Sequence, residues 1–264
     1  MRARIWGCRG SLATPGQGTL HTGGNTSCVE VRTETGAVVV LDAGTGIRPL
    51  GGTLAGVREL DLLLTHLHLD HIEGLAFFAP LHDTQATVRI WGPAQEDGTL
   101  AERVATWLSP PFFPLPFQQF EARIEIHEAP AAEWQIGGAR VWCARTRHPG
   151  PTLAYRLDDG GRSLAYVPDN EPGLDGAEAI ALAAGADALL HDAQYTSDEY
   201  ATRVGWGHAS VDEFARVVRE TAPRRALMFH HDPWHDDAEL ERMRMRASEL
   251  ADREVELAVE GLIL

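Results

Sequence analysis

The stretch Thr65-His66-Leu67-His68-Leu69-Asp70-His71 decides the fold of this chain, and it follows directly on the apolar run Leu60-Asp61-Leu62-Leu63-Leu64. Its three imidazoles and one carboxylate can all bind a borderline divalent metal at neutral pH. His66 and His68 are two residues apart, so an extended backbone points both side chains to the same side. Asp70 and His71 lie where a helix is expected to begin. One strand-to-helix turn can therefore serve two adjacent metal ions; the alternative is a polar turn without metal, or surface histidines.

The composition is that of a soluble globular protein with a strongly acidic surface. The 264 residues carry a formal net charge of −15, with 44% hydrophobic and 23% charged residues. This charge excludes an overall electrostatic footprint for DNA or RNA, although it is compatible with a local basic patch such as Arg145 with Arg147. No apolar run approaches the length of a membrane span. A small anionic ligand can still bind beside a metal ion, because the ion supplies a local positive charge.

Cysteine usage and the N-terminus predict a cytoplasmic protein. The three cysteines, Cys8, Cys28 and Cys143, form no Cys-x-x-Cys pair. This favours a reducing compartment and argues against a disulfide framework or a cysteine-based zinc site. Residues 1–7 lack the apolar stretch of a signal peptide. No repeat, linker or low-complexity tail interrupts the chain, so we expect a single domain over residues 1–264.

Alternating apolar patterns and turn residues predict many strands and a few helices. Capping boxes at Thr99 and Ser210 each mark the start of a helix. The segment 109–117 holds four prolines and three phenylalanines and cannot be a regular helix or a central strand. It is either a linker or apolar plug on the core, or a loop that overhangs a functional site. Strands are expected at 3–8, 27–33, 37–41, 60–65, 87–92, 122–128, 139–145, 152–157, 163–167, 188–191, 225–229 and 255–259, and further helices at 177–184 and 236–252.

Two metal ions need more donors than one turn supplies, and three later residues fit this need. His148 follows a predicted strand and precedes a turn, and Asp169 and His230 each follow an apolar strand. Strand ends are where α/β folds gather functional residues. Taken singly, each of the three is better explained as a turn or capping residue, but together with the 65–71 turn they complete an ordered set of ligands.

The chain resembles the metallo-β-lactamase superfamily in the residues 65–74, His148, Asp169 and His230. It is similar in particular to a branch of small cytosolic phosphodiesterase-like hydrolases that includes tRNA 3′-processing endonucleases and phosphoribosyl cyclic phosphodiesterases. That similarity covers essentially the entire chain and lies in the segments Gly7-Cys8-Arg9-Gly10-Ser11, Gly23-Gly24-Asn25-Thr26-Ser27-Cys28, Leu41-Asp42-Ala43-Gly44-Thr45-Gly46 and Gly205-Trp206-Gly207-His208-Ala209-Ser210.

The resemblance implies an α/β fold, a four-layer αββα sandwich with the site at one edge of its two sheets. By the family pattern, His66, His68 and His148 hold one metal, Asp70, His71 and His230 hold the other, and Asp169 bridges them. The family pattern selects His230 over its neighbour His231. A redox branch that binds iron typically has Glu where His68 stands, so the resemblance favours two Zn²⁺, with Mn²⁺ or Fe²⁺ as alternatives.

The chemistry expected of such a site is hydrolysis by a hydroxide that bridges the two metals, with a side chain that protonates the leaving alkoxide. His208 is the candidate acid, and in the similar endonucleases such a histidine acts with a carboxylate, here Asp192. Asp70 joins them as a candidate catalytic residue. Structural roles remain open for His208, as a residue at a helix start, and for Asp192, as a hydrogen-bond partner. Asp42 is expected to support a ligand histidine or the 65–70 turn, or only to cap its own turn.

His208 and the Gly7–Ser11 segment favour a phosphodiesterase that acts on a small or cyclic phosphodiester. A thioester or lactone hydrolase on the same metals is one alternative, and an RNA 3′-end processing nuclease is another. The acidic charge makes nucleic acid an unexpected partner, and a non-catalytic ligand-sensing domain conflicts with the full ligand set. We expect no membrane partner, and a homodimer is compatible with the sequence.

Overall fold

Two mixed β-sheets form the centre of the molecule. The structure is a computed structural model and describes residues 1–173 and 177–264. Strands β1 to β3 of the first sheet pair antiparallel, whereas β3 to β6 run parallel. Within the described residues this sheet has the order β1 (Arg2–Gly7), β2 (Cys28–Arg32), β3 (Val38–Leu41), β4 (Glu59–Leu63), β5 (Thr87–Gly92) and β6 (Arg123–Glu128).

The second sheet has the same mixed character, and its strands also lie side by side in chain order. Its first four strands are antiparallel neighbours, and its last four run parallel. Antiparallel neighbours need only short turns, whereas parallel neighbours need longer crossovers, and helices supply most of these. The strands are β7 (Trp134–Ile136), β8 (Ala139–Arg145), β9 (Leu153–Asp159), β10 (Arg162–Val167), β11 (Ala188–Asp192), β12 (Arg225–Phe229) and β13 (Glu256–Leu257).

Helices cover the outer face of each sheet. Those of the first half are α1 (Ile47–Gly51), α2 (Leu69–Ile72) and α3 (Leu100–Trp107), and those of the second half are α4 (Ala177–Ala183), α5 (Ser197–Tyr200), α6 (Val211–Thr221) and α7 (Asp237–Ala251). Within residues 1–173 and 177–264, no helix is both long and apolar enough to cross a membrane.

Alternate side chains of strand β3 point to opposite faces of the first sheet, and this shows how the layers are built. Val38 and Val40 pack against α1 and α3 in one apolar core, whereas Val39 and Leu41 face the second sheet in another. Two further apolar cores join the outer face of the second sheet to α4, α6 and α7. The order is therefore helix, sheet, sheet, helix, and the expected four-layer αββα sandwich is confirmed.

Most predicted elements lie within two residues of their observed bounds, with a few instructive differences. The side chains of Thr99 and Ser210 accept the N–H groups of the third helical residue, so both capping boxes are present. Helix α2 begins at Leu69, because His68 has an extended backbone and is the N-cap; His71 therefore lies inside the helix rather than at its start. The short strand β7 and helix α5 are not among the predicted elements, although Thr196 and Glu199 form a capping box at the start of α5.

The 109–117 segment shows features of both predictions, the apolar plug on the core and the loop beside a functional site. Phe113 and Phe117 pack against the core of the first sheet, so they act as an apolar plug. Phe112 is exposed and lies with Leu67 and Leu69 along a groove beside the 65–71 turn. Contact of this segment with a substrate stays a prediction.

Candidate metal centre

The candidate ligands come together because they follow strands that end at one edge of the two sheets. The turn 65–71 follows β4, Asp169 follows β10 and His230 follows β12. His148 lies three residues beyond β8. Because the carboxyl ends of neighbouring parallel strands share an edge, residues far apart in sequence meet there. All seven residues predicted as metal ligands lie in this one cluster.

One half of the centre, the outer cluster, consists of His66, His68 and His148. One ring nitrogen of each lies within 4.8 Å of the others. His148 Nε2 lies 3.0 Å from His68 Nδ1. The residue His68 is exposed, whereas the side chains of His66 and His148 are covered, so the centre opens to the solvent beside His68.

The other half, the inner cluster, consists of Asp70, His71 and His230, all of them buried. Asp70 Oδ2 lies 3.1 Å from His230 Nε2 and 3.3 Å from His71 Nε2. The two histidine Nε2 atoms are 3.3 Å apart. The backbone N–H of Ser11 donates a 2.7 Å hydrogen bond to the same Asp70 oxygen, which fixes this carboxylate from outside the cluster.

Asp169 lies between the two clusters. Its Oδ2 is 3.1 Å from His71 Nε2, and its Oδ1 is 3.3 Å from His230 Nε2. The same Oδ1 lies 3.8 Å from His148 Nε2 and 4.0 Å from His66 Nε2. One carboxylate thus reaches both halves, which is the placement that a bridging ligand of two nearby ions needs.

The outward hydrogen bonds of three histidines leave their Nε2 atoms free for a metal. His71 Nδ1 donates to Asp42 at 2.8 Å, His148 Nδ1 to the Gly207 carbonyl at 2.9 Å and His230 Nδ1 to Gln194 Oε1 at 2.8 Å. A ring that donates from Nδ1 presents the lone pair of Nε2, and metal-binding histidines are normally held in this way.

Two buried polar atoms of the cluster also point to a cation. His66 Nε2 and Asp169 Oδ2 have no hydrogen-bond partner among the described residues. Leaving such atoms unpaired is costly, and a bound cation would satisfy both. Nitrogen and carboxylate donors in this number suit zinc or a similar transition metal, so the residues present fit a metal cofactor.

The charge state of the histidines differs between the two clusters. Burial lowers the pKa of His148 to about 4 and lowers that of His66 well below its ordinary value. Burial opposes protonation of His230 too, but the carboxylates of Asp169 and Asp70 outweigh it and raise its pKa to about 9. Burial alone would raise the pKa of Asp169, but the facing His230 and His71 rings hold it well below its usual range. Charged side chains are therefore concentrated in the inner half.

Asp42 and Gln194 form hydrogen bonds to the inner histidines from outside the cluster. Asp42 accepts hydrogen bonds from His71 Nδ1, from the backbone N–H and hydroxyl of Thr65 and from the hydroxyl of Tyr166. The structure thus gives Asp42 contacts with both the ligand turn and a ligand histidine. Sequence reasoning missed Gln194; its only sequence signal is a polar side chain just beyond the predicted strand 188–191.

His208 and Asp192 lie next to the cluster and contact each other. His208 Nδ1 donates to Asp192 Oδ2 at 2.8 Å, and the carboxylate is fully buried. The His208 ring stacks on His230 with centroids 5.0 Å apart, and it lies at the same distance from His148. A histidine paired with a buried carboxylate can hold or deliver a proton at its other nitrogen.

Other histidines near these segments face away from the cluster. His231 Nε2 donates to the Ala258 carbonyl at 2.9 Å. His191 Nδ1 donates to the Asp192 carbonyl, and His235 pairs with Glu199. Of the neighbours His230 and His231, the structure brings only His230 to the centre.

The backbone at the centre is strained. Ser11, Asp42 and His230 have positive φ angles of 62°, 59° and 59°. Non-glycine residues rarely adopt this left-handed conformation, and such outliers concentrate at functional sites. Each of the three contributes directly to the centre, through a backbone N–H, a carboxylate or an imidazole.

Comparison with known proteins agrees with this geometry. A family model described as a beta-lactamase superfamily domain matches residues 38–231. The chain belongs to the metallo-β-lactamase superfamily. A ribonuclease Z from Mycobacterium sp. (strain KMS) is 27% identical over 241 residues, covering 84% of each chain.

Two solved structures share the whole fold of this superfamily member. Zn²⁺-bound PqqB from Methylobacterium extorquens matches with a TM-score of 0.73 at 19% identity, covering 100% of this chain and 99% of that one. A diphosphatase of the PhnP family matches with a TM-score of 0.71 at 20% identity, covering 100% and 96%. At these identities the likeness shows the fold alone.

Proposed function

We propose that this protein is a dinuclear-zinc phosphodiesterase that cleaves a small or cyclic phosphodiester, with His208 as the general acid. The observation that carries the proposal is the 2.8 Å contact of His208 with buried Asp192, directly beside two clusters of metal-binding side chains. Hydrolysis of a phosphodiester expels an alkoxide, which is a poor leaving group without a proton. A carboxylate-supported histidine at the centre meets this need.

The other residues of the centre have separate roles in the proposed reaction. Zinc, when bound, would stabilise the negative oxygens of the phosphoryl group and lower the pKa of a water nucleophile. The outer cluster is open to the solvent at His68, so a substrate approaches from the side of His68. Asp70 and Asp169 keep the inner half rigid through their contacts with His71 and His230. Asp192 holds the His208 ring by Nδ1, which leaves Nε2 to deliver the proton.

A nuclease acting on RNA is the second candidate, and the named relative supports it. The ribonuclease Z relative is named for an activity on RNA and covers 84% of this chain. Against RNA stands the net charge of −15, which opposes binding of a polyanion over most of the surface. We therefore favour the small phosphodiester.

The proposal treats residues 1–264 as one hydrolase domain. Ligands from both sheets meet in the centre: Asp70 and His71 follow the first sheet, whereas Asp169 and His230 follow the second. Neither sheet holds a complete ligand set by itself, so the two must fold as one unit to form the centre.

A substrate panel on metal-free and zinc-loaded protein tests the proposal. The panel holds bis(p-nitrophenyl) phosphate, cyclic nucleotides, a precursor tRNA, a thioester and a lactone. We expect two zinc ions per chain and turnover of the small phosphodiesters only after zinc is added. Turnover of the thioester or lactone alone contradicts the proposal. Cleavage of the precursor tRNA in preference to every small ester favours the nuclease. Fewer than about one ion per purified chain contradicts the dinuclear centre.

A further inference from the structure

Three segments that carry site residues meet at Glu171, a residue with no role in the proposed chemistry. Glu171 follows Asp169 by two positions, and its backbone N–H donates to the Arg147 carbonyl at 2.9 Å. The side chain of Asn170 accepts the Arg147 N–H at 3.1 Å, and its backbone N–H donates to Asp192 at 3.2 Å. The Asp169 segment is thus tied directly to the residue before His148.

The Glu171 carboxylate is buried, and it accepts hydrogen bonds from one loop and from the last residue of α5. Its residue is 1% exposed. It accepts the backbone N–H groups of Gly205 at 2.9 Å and Gly207 at 3.1 Å, together with the hydroxyl of Tyr200 at 2.8 Å. Among the described residues it forms no ion pair within 4.0 Å. A buried carboxylate without an ion pair is expensive, so its hydrogen bonds to the loop must compensate for its burial.

This loop, Gly205–His208, controls two site residues at once. The Gly207 carbonyl accepts the Nδ1 hydrogen of His148, which orients His148 toward the cluster. Gly207 has a φ of +89°, and a Cβ at this position would collide with the His148 ring, so the loop lies tightly against it. The next residue is His208, which faces Asp192.

We propose that Glu171 is a positioning residue that fixes the Gly205–His208 loop, so that Gly207 orients His148 as a ligand and His208 stays in reach of the substrate. The part concerning His208 rests on the proposed function; the part concerning His148 requires only that the centre binds metal. Hydrogen-bond partners behind a metal ligand commonly change metal affinity about 10–100-fold when removed.

Substitutions of Glu171 by side chains of equal length distinguish the effect of its hydrogen bonds from the effect of its packing. In E171M the side chain keeps its size but accepts nothing, so the two glycine N–H groups lose their partner. In the wild type Oε2 lies 3.0 Å from the Gly205 nitrogen and 3.1 Å from the Gly207 nitrogen, so an amide oxygen at this position in E171Q still accepts both N–H groups. The amide nitrogen then takes the place of Oε1 and can donate to the Tyr200 oxygen. Y200F is the matched control, since it removes one donor and leaves the glycine contacts intact.

Zinc affinity, measured by competition with a chromophoric chelator, is the first readout. We expect E171M to weaken the outer site about 10–100-fold, E171Q to recover most of that loss, and Y200F to match the wild type. Wild-type affinity in folded E171M overturns the proposal. Equal losses in E171M and E171Q also overturn it, because the amide keeps the acceptor. If E171M does not fold, E171D replaces it: its carboxylate is one methylene too short to reach both N–H groups, and the same loss is expected.

The dependence of rate on the leaving group is the second readout. E171M should slow phosphodiesters with alkoxide leaving groups more than those with p-nitrophenolate, as loss of His208 would, whereas simple destabilisation slows both equally. Equal slowing therefore contradicts the His208 part. If the wild type cleaves no phosphodiester, the proposed function fails, and the zinc-affinity series still decides the role of Glu171 toward His148.

Discussion

The outer and inner clusters use similar side chains in opposite surroundings. The outer cluster has three histidines, and its His68 is exposed; the inner cluster is wholly buried and contains Asp70. Burial lowers the pKa of His148 to about 4, whereas burial of His230 is outweighed by neighbouring carboxylates that raise its pKa to about 9. The outer cluster is thus neutral and open to the solvent at His68, and the inner cluster is charged and enclosed.

This difference indicates that the two halves have different roles in binding metal and substrate. Asp42, Asp70 and Asp169 surround His71 within 3.3 Å, so the inner half attracts a cation strongly and holds it rigidly. The outer half lacks a carboxylate of its own and is open to the solvent at His68, so we expect it to exchange metal and to meet the substrate more readily. We infer that zinc fills the inner site first.

The largest effect is expected from D169A, which removes the residue that both halves share. Zinc content should fall at both sites, and activity should fall at least about a thousand-fold, because several kcal/mol of metal-dependent stabilisation is lost. Elemental analysis and phosphodiesterase assays measure this. D158N, whose carboxylate pairs with Arg156 on the second sheet, is the control and should behave as wild type. Retention of one tightly held zinc in D169A speaks against a shared ligand.

Comparing H71A with H68A tests whether the two clusters differ in metal binding and in their contribution to folding stability. H71A removes an inner ligand and leaves buried Asp42 without one partner, which costs about 1–3 kcal/mol of folding stability. H68A removes an exposed outer ligand and should leave the fold intact with one zinc bound. Zinc titration and thermal unfolding of the metal-free proteins measure the two effects. Equal losses from both variants would show that the halves are equivalent.

A smaller effect, on catalysis alone, is expected from H208A. The zinc content should stay at the wild-type value, since His208 is not among the proposed ligands. The turnover of esters with alkoxide leaving groups should fall about 10²–10⁴-fold, and that of p-nitrophenyl esters much less. D192N should shift rates in the same direction. Loss of zinc in H208A would instead make His208 a ligand.

The smallest effect is expected far from both clusters, in D237N. Asp237 accepts the N–H groups of His21 and Thr22 and the Thr22 hydroxyl. Burial would raise the pKa of Asp237, but these bonds lower it, so its contribution exists above the unfolded pKa and is lost as the pH falls. The stability gap to wild type should stay below about 1 kcal/mol at neutral pH and close below about pH 4. Zinc affinity should not change; a gap that widens in acid contradicts the account.

The sequence was sufficient for the fold and the family because the decisive signals are local. The 65–71 string directly follows an apolar strand, and a strand-to-helix turn needs no distant partner to be recognised. The αββα sandwich and the superfamily predicted from it are confirmed. The roles of the individual ligands stay predictions, although the structure gathers all seven at one edge.

What the sequence could not provide depends on contacts between distant segments. Gln194 matters only because β11 lies beside β12, which brings its amide to His230. Glu171 reads as a loop residue before a proline, and its importance emerges only when the 205–208 loop folds over it. The start of α2 was misplaced because an apolar residue, Leu69, occupies the first helical position after the His68 cap.

The left-handed backbone at Ser11, Asp42 and His230 sets limits for engineering a more thermostable variant. Each such residue costs roughly 1–2 kcal/mol relative to an unstrained one, and glycine relieves this cost. At Asp42 and His230 the side chain is indispensable to the centre, so their strain cannot be removed. At Ser11 the contact with Asp70 comes from the backbone, which glycine retains, and the hydroxyl adds only a long 3.5 Å contact with the Gln194 amide. We therefore expect S11G to stabilise this hydrolase, whereas the strain at positions 42 and 230 cannot be relieved in the same way.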